Sequence, residues 1–351
     1  MSPWITPQYS KKAVNKAGKL IGRGEASSKD IEHAKKVLSN YRMAHAFPLN
    51  AVAQTVRKRA LTLEPSAVVA QRRKRLPTII HKLKRHPHMQ VSTMQDLGGC
   101  RVIFDNVGNV RDLANVLTSL PRAKNRVTRT YDYLTSDLEG ARSGPQATGY
   151  RGIHLIYTYG ASKAEYHGLK IELQIRTQLQ HAWATAIETM DLFEGTELKY
   201  GKGNPELSRF FVLVSSLMAV AEGTSKIPGA EGNRRELVEE LRDLNTKLNV
   251  LNRLRSYALT AEIHKDYGRD MRKVLVLELY RKESKLKVNV HETFREAEDD
   301  LMRLEALEDD NIDAVLVDIG RVSQLPEAYP NYYADTRQFD AFVKKQLQES
   351  S

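Results

Sequence analysis

Two short stretches of the chain combine side chains that could act on a polyphosphate. Glu172 lies among cations in the run 170–176, and Tyr150 and Arg151 lie in a Gly-Tyr-Arg-Gly turn shortly before it. A carboxylate can hold a divalent metal ion or accept a proton, and neighbouring cations can bind phosphate oxygens. Glycines permit close backbone approach beside the ring and the guanidinium. The alternative is an ordinary half-buried strand with a solvated polar face, which gives the same alternation.

A β-hairpin that continues into a helix would position these residues. The runs 154–159 and 169–175 alternate apolar and polar residues and are joined by a turn region, which predicts two antiparallel strands. Side chains alternate across a strand, so the second run places four polar residues on one face: Lys170, Glu172, Gln174 and Arg176. The strand leads directly into a predicted helix over 178–190.

A basic segment and an acidic residue precede the hairpin. We predict a helix over 66–86, interrupted at Pro77, with seven cations: Arg72, Arg73, Lys74, Arg75, Lys82, Lys84 and Arg85. Such a helix could bind phosphate, contact RNA or only face water. Asp96 precedes a Gly-Gly pair and a strand that starts at Arg101. An aspartate in this position could simply form a turn.

The motifs resemble those of the RelA/SpoT nucleotide pyrophosphokinase family. Residues 149–154 (GYRGIH) and 171–177 (IELQIRT) are similar to its two signature motifs, and residues 96–102 (DLGGCRV) resemble its acidic strand motif. The resemblance implies an α+β fold: a mixed β-sheet, nucleotidyltransferase-like synthetase core flanked by helices. It also implies transfer of the β,γ-pyrophosphate of ATP to a ribose 3′-hydroxyl.

The resemblance assigns a role to each motif residue. Glu172 would be the general base and a metal contact, and Asp96 the main Mg²⁺ ligand, with ATP as the pyrophosphate donor. The expected ATP-binding cations are Arg72, Lys74, Arg75, Lys82 and Arg101. The expected acceptor-binding residues are Tyr150, which would stack on the base, Arg151, His154 and Arg176. The structural alternative for Glu172 is a salt bridge to Lys170 or Arg176.

Charge is unevenly distributed along the 351 residues. The whole chain carries +11, but residues 271–351 contain 12 Lys and Arg and 17 Asp and Glu, a charge of −5, which leaves +16 before them. A basic body suits a nucleotide or nucleic-acid partner, although solubility alone is an alternative explanation. No apolar run is long enough for a membrane span, and the first residues lack a signal peptide's apolar core, so we expect a cytoplasmic protein. The single cysteine, Cys100, excludes internal disulfides and a Cys-based zinc cluster.

We predict three parts: N-terminal helices over 1–65, a RelA/SpoT-like pyrophosphokinase (toxin) domain over 66–270, and a small α+β domain over 271–351. The second part would end in a long helix over 234–262. The third would contain strands over 274–280, 286–290 and 313–319 and helices over 293–307 and 336–347. The polar stretch 131–147 would form a mobile loop over the site.

The acidic C-terminal part, with a YxxY pattern at Tyr329 and Tyr332, resembles the pseudo-zinc-finger antitoxin domain of CapRel-type fused toxin–antitoxins. This resemblance implies a tail that covers the ATP site until a phage capsid protein releases it. It also implies tRNA as partner, pyrophosphorylated at its 3′-CCA end, and neither membrane nor DNA. No His-Asp dipeptide is present, so the family's hydrolase domain is not expected. Two alternatives remain: an alarmone synthetase acting on a free guanosine or adenosine nucleotide, and an inactive nucleic-acid-binding protein.

Overall fold

The computed structural model describes residues 4–24, 26–120, 125–135, 144–257, 260–263, 273–307, 309, 311–319 and 325–349. In these ranges the helices are α1 (Lys11–Arg23), α2 (Ser28–Ala44), α3 (Ala46–Leu63), α4 (Leu76–Arg85), α5 (Val107–Thr118), α6 (Gln178–Glu194), α7 (Pro205–Ala221), α8 (Arg234–Leu248), α9 (Val250–Ser256), α10 (Phe294–Ala306), α11 (Leu325–Ala328) and α12 (Arg337–Gln348). The strands are β1 (Val68–Arg73), β2 (Gly98–Phe104), β3 (Arg126–Asp132), β4 (Ile153–Thr158), β5 (Lys170–Thr177), β6 (Thr260–Ile263), β7 (Lys273–Tyr280), β8 (Lys285–His291) and β9 (Ile312–Ile319).

The described strands form one nine-stranded sheet in the order β3-β4-β5-β2-β1-β9-β7-β8-β6. The pairs β2–β5 and β6–β8 are parallel and the others are antiparallel. Helices pack against this mixed sheet, so the predicted α+β class is confirmed. No helix in the described ranges has the length and apolar character needed to cross a membrane.

The predicted hairpin is confirmed as β4 and β5. Its apolar side chains, such as Ile171 and Leu173, are fully buried and pack with residues of α3 and α5 on one face of the sheet. The β5 strand passes directly into α6 because Thr177 caps the helix: its hydroxyl accepts from the N–H of Gln180, whose side chain bonds back to the N–H of Thr177. The alternation therefore leaves the polar residues of β5 together on the opposite face.

The helix predicted over 66–86 is wrong for its first half. Residues 68–73 form β1, a central strand between β2 and β9, and the helix α4 begins only at Leu76, with Pro77 in its first turn. The sequence predicted a helix whose cations could bind phosphate, contact RNA or only face water. Acidic residues of the C-terminal part instead neutralise Arg73 and Arg75, which removes the need for solvation.

The long helix predicted over 234–262 is also wrong. It is divided into α8 and α9 at Asn249, whose backbone is left-handed (φ 53°), and the chain then forms β6. Asparagine tolerates this conformation better than most residues, so the helix ends there. The predicted loop over 131–147 differs at its start, because Tyr131 lies in β3. Residues 136–143 of that loop lie outside the described residues.

The predicted strands and helices of residues 271–351 are present as β7, β8, β9, α10 and α12. Their strands do not form a separate sheet: β9 pairs with β1 through Ala70↔Ile319, Gln71↔Asp318 and Arg72↔Val317. The acidic part of the chain is thereby hydrogen-bonded to the basic strand that carries Arg72. Cys100 is buried, in keeping with a small core residue.

Candidate active site

One face of the sheet gathers most of the predicted site residues. Directly paired residues on neighbouring strands share a face. One row across β3, β4, β5, β2 and β1 therefore aligns Arg129, Ile156, Glu172, Gly99 and Arg72. The next row aligns Tyr131, His154, Gln174 and Arg101. Strands β1 and β2 and the β4–β5 hairpin, which are separated in sequence, thus bring the predicted base, acceptor and ATP residues to a common surface.

Glu172 is held at the centre of this face. Its Oε1 lies 3.1 Å from Nδ1 of His154, and its Oε2 accepts a hydrogen bond of 2.8 Å from the amide of Gln174. Burial alone would raise the pKa of Glu172, but the charge and hydrogen bond of His154 and the bond from Gln174 lower this pKa to about 2. Glu172 is therefore ionised at neutral pH. Its salt-bridge partner is His154 rather than the Lys170 or Arg176 of the structural alternative.

Asp96 lies just before β2, next to two predicted ATP-binding lysines. Its carboxylate accepts from Nζ of Lys74 at 2.6 Å and lies 3.4 Å from Nζ of Lys82. Burial opposes ionisation, but these two ammonium groups lower the pKa of Asp96, and the nearby charge of Glu172 counteracts them in part. Glu172 also pairs in register with Gly99, three residues after Asp96, so the two carboxylates lie near the same end of β2.

This pair of carboxylates fits a magnesium ion. Mg²⁺ in phosphate-transferring sites is held by one or two carboxylates together with substrate phosphates, and the adjacent lysines would bind the same phosphates. The described residues contain no group of three or more His, Cys, Asp or Glu side chains arranged for a metal. Asp96 and Glu172 would therefore need the phosphate oxygens of a bound nucleotide to complete the ion's ligands.

Tyr150 contacts Arg176 and His154, and His154 connects it to Glu172. Its hydroxyl lies 2.5 Å from Nε2 of His154 and accepts 2.6 Å and 3.1 Å bonds from Arg176, whose guanidinium is also 5.0 Å from the ring centre. Burial would raise the pKa of Tyr150, but Arg176 and His154 lower it. The turn is closely packed: Gly149 has φ 91°, and a Cβ there would lie 2.8 Å from the Trp183 ring. Glycine is therefore required for this turn to carry the tyrosine.

Arg151 is not brought to the site. Its side chain is 2% exposed, and its guanidinium donates 2.5 Å bonds to Glu222 and Thr224. Glu222 also accepts from the side chains of Thr177 and Gln180 at the start of α6. The acceptor-binding role predicted for Arg151 does not fit this position, because the residue ties the turn to the end of α7.

Arg72 and Arg101 are covered by the C-terminal segment 325–333. Arg101 donates a 3.2 Å bond to the carbonyl of Ala328, and Tyr329 donates a 3.0 Å bond to the carbonyl of Gln71, next to Arg72. Tyr329 and Tyr332 are each 2% exposed. Arg101 is thus buried by this segment, and Arg72, which is partly buried, lies in the strand against which Tyr329 and Tyr332 pack.

Arg75 is engaged by the same part of the chain. Its guanidinium forms an ion pair with Asp313 of β9, a residue that also lies 3.4 Å from the hydroxyl of Tyr332. Asp313 is 3% exposed in this contact. Arg75 can reach a nucleotide only after this pair separates.

Two further acidic residues of the C-terminal part, both on α10, form ion pairs with arginines of the preceding chain. Glu305 forms two 2.8 Å bonds with Arg42, and Glu298 pairs with Arg73; all four side chains are nearly fully buried. The uneven charge along the sequence therefore corresponds to specific ion pairs, in which acidic residues of the C-terminal part neutralise cations of the preceding chain.

Sequence reasoning missed Glu188 of α6. This half-buried carboxylate accepts a 2.8 Å bond from Lys199. Burial would raise its pKa, but Lys199, Arg72 and Arg101 hold the pKa of Glu188 well below its usual value. The charge of Glu188 therefore lies close to two predicted ATP cations, Arg72 and Arg101. No local pattern marks it, since its partners are distant in sequence.

Comparison with known proteins supports the resemblance for the central part of the chain. Residues 71–192 match the family described as "Region found in RelA / SpoT proteins". An uncharacterised protein of Mycobacterium tuberculosis is 25% identical over 202 residues, 58% of this chain and 66% of that protein. The GTP pyrophosphokinase YjbM of Bacillus subtilis is 29% identical over 146 residues, 40% of this chain and 61% of that protein. The chain thus spans slightly less than two thirds of these relatives.

Among solved structures, the chain is similar to the small alarmone synthetase 1 of Bacillus subtilis bound to its product pppGpp. The two are 21% identical, with a TM-score of 0.40, over 51% of this chain and 89% of that chain. The predicted enzyme class, a RelA/SpoT-type pyrophosphotransferase, agrees with the family match and with the name of the Bacillus relative.

Proposed function

We propose that this protein is an ATP-dependent pyrophosphokinase that modifies the 3′-hydroxyl of the tRNA CCA end and is inhibited by its own C-terminal part. The observation that carries this proposal is the grouping of Glu172 and Asp96 with Lys74 and Lys82 at one end of strands β1 and β2. Ionised carboxylates beside ammonium groups suit the transfer of a polyphosphate group. The RelA/SpoT match over 71–192 contains all four residues.

In the proposed reaction the acceptor 3′-oxygen forms a bond to the β-phosphorus of ATP, the bond from that phosphorus to the oxygen shared with the α-phosphate breaks, and AMP leaves. The proton of the acceptor hydroxyl passes to Glu172 and then to solvent. Because its pKa is about 2, Glu172 is a weak base, and it acts mainly by accepting the hydrogen bond that orients the hydroxyl. A magnesium ion at Asp96 and Glu172, when bound, would neutralise phosphate charge.

The other residues of the face would position the two substrates. Lys74 and Lys82 would bind the phosphates that are transferred, while Arg72 and Arg101 would bind the rest of ATP. Tyr150 would stack on the acceptor base, held upright by Arg176 and His154. In this arrangement the donor lies over β1 and β2 and the acceptor over β4 and β5.

Autoinhibition is supported by what covers the donor side. Tyr329 and Tyr332 are buried against the strand that carries Arg72, and the carbonyl of Ala328 accepts a hydrogen bond from Arg101. ATP would have to displace these residues. A protein that binds the C-terminal part could expose them, and by resemblance we propose a phage protein, the capsid protein, as this trigger in an anti-phage defence. Release would then arrest translation.

The alternative function is synthesis of an alarmone from a free guanosine or adenosine nucleotide. It is favoured by the name of the Bacillus relative, a GTP pyrophosphokinase. The experiment that separates the two is incubation with γ-labelled ATP, bulk tRNA and free nucleotides, followed by separation of the products. Label on tRNA supports the proposal, label on a nucleotide supports the alternative, and no transfer by wild type or by a variant without the inhibitory tyrosines contradicts both.

A further inference from the structure

An aromatic surface extends from Tyr150 towards the edge of the sheet. The ring centre of Tyr133 lies 5.5 Å from that of Tyr150 and 5.2 Å from that of His154, in edge-to-face contacts. Tyr131 stacks with Tyr133: their ring centres are 6.2 Å apart and the angle between the ring planes is 6°. The three tyrosines therefore form a continuous line. It starts at Tyr150, the residue proposed to stack on the acceptor base, and leads outward to β3.

Cations accompany this line on the same face. Arg129 is exposed and lies in the row that contains Glu172, and Lys170 follows on β5. Burial and the positive charges of Arg129 and Lys11 together lower the pKa of Lys170, so three cations from β3, β5 and α1 converge here. None of them belongs to the group of lysines and arginines around Asp96.

This combination is typical of surfaces that bind single-stranded nucleic acid. Successive bases stack on aromatic rings with little sequence preference, and cations follow the phosphate backbone. A single nucleotide would occupy Tyr150 alone and leave two further rings unused. A polynucleotide 3′ end needs additional stacking surface for the bases before its last nucleotide.

We propose that Tyr131 and Tyr133, flanked by Arg129 and Lys170, form a stacking platform for the bases that precede the acceptor nucleotide of an RNA 3′ end. This inference rests on the proposed function and specifies its substrate class. The platform lies on β3, four strands from β1, where the C-terminal segment covers Arg72. The inhibited protein can therefore hold the RNA acceptor while its donor site is closed.

Binding of a short RNA to the full-length protein tests the platform directly. We would use fluorescence anisotropy with a labelled single-stranded RNA of about eight nucleotides ending in CCA, a length that one such surface can cover. Tyr131→Leu and Tyr133→Leu are each expected to weaken binding about tenfold, whereas Tyr131→Trp should bind as wild type does. A matched control is Tyr257→Leu, which removes another stacked ring, 4.8 Å from Phe193 and away from the site. This control should leave RNA binding unchanged.

Transfer assays separate failure of the platform from failure of the proposed function. In a background that carries Tyr332→Ala, Tyr131→Leu should raise KM for the RNA about tenfold without changing kcat, and should not affect use of a mononucleotide. RNA labelling with an unchanged KM would overturn the platform and leave the proposed function intact. An equal loss with RNA and with mononucleotide would also overturn it. If the parent protein labels mononucleotides but no RNA, the proposed function itself is wrong.

Discussion

Nδ1 of His154 lies 3.1 Å from Oε1 of Glu172, and both side chains are largely buried. The ion pair lowers the pKa of Glu172 to about 2 and, together with Tyr150, raises the pKa of His154 to about 9 despite its burial. The carboxylate is thus kept ionised by a neighbour that also bonds to the proposed acceptor-stacking tyrosine. The proposed catalytic residue Glu172 and the proposed acceptor residues His154 and Tyr150 are thus joined by hydrogen bonds.

Replacing Glu172 with glutamine should abolish pyrophosphate transfer while the protein stays folded. The amide keeps the shape of the side chain but can neither accept the proton nor contact a metal as an anion, so we expect a loss of about 100-fold or more. The measurement is label transfer from γ-labelled ATP in a Tyr332→Ala background, which relieves the proposed inhibition, with circular dichroism as a check on folding. Glu165→Gln, at an exposed position, is the matched control and should retain activity. Undiminished transfer by Glu172→Gln would refute the assignment.

The pair between His154 and Glu172 predicts a pH-dependent stability. The folded-state pKa of His154 is about 9, above its usual 6.5, so its contribution is complete below pH 6.5 and is lost as pH rises through 9. The full contribution is on the order of 3 kcal/mol. Urea unfolding of wild type should therefore show a decline in the free energy of unfolding between about pH 6.5 and 9. His154→Gln should lack this decline; parallel curves for the two proteins would contradict the prediction.

Tyr332→Ala should activate the full-length protein without any trigger. Loss of a fully buried aromatic ring from the C-terminal segment typically costs about 3–5 kcal/mol, which weakens the closed arrangement over Arg72. We expect at least a tenfold rise in label transfer and arrest of growth on expression. Tyr332→Phe, which loses only the 3.4 Å contact with Asp313, is the control and should stay inhibited. If the alanine variant is soluble and expressed but no more active than wild type, this residue does not maintain inhibition.

The buried pair of Arg42 and Glu305 predicts a second effect on the C-terminal part. Glu305→Gln leaves an uncompensated guanidinium that is 2% exposed, which should destabilise the protein by about 3–5 kcal/mol. The exposed pair Lys36–Glu32 provides the comparison, and Glu32→Gln should leave the free energy of unfolding nearly unchanged because solvent screens this pair. Urea unfolding measures both. Equal effects of the two substitutions would show that the buried pair does not hold the acidic part in place.

Local patterns in the sequence were sufficient for the hairpin and for the helix after it, because alternation and capping depend on neighbouring residues. They failed at β1, where the charges of Arg73 are matched by Glu298, 225 residues away. They failed at Arg151 for the same reason, since its partner Glu222, directly after α7, is 71 residues away. The role of Glu188 was equally hidden, because the cations around it come from β1 and β2. The features that local sequence patterns could not predict are therefore those that depend on ion pairs between residues distant in the chain.

The burial of Arg151 predicts that its loss affects folding rather than acceptor recognition. Arg151→Gln removes the cation from Glu222, which also holds Thr177 and Gln180 at the start of α6, and should cost about 3–5 kcal/mol. Tyr150→Ala, in contrast, should raise KM for the acceptor about tenfold, the value of one stacked base. Thermal unfolding of both variants, and acceptor kinetics of both in a Tyr332→Ala background, distinguish the two roles. An Arg151→Gln protein with wild-type stability and a raised acceptor KM would restore the role read from the motif.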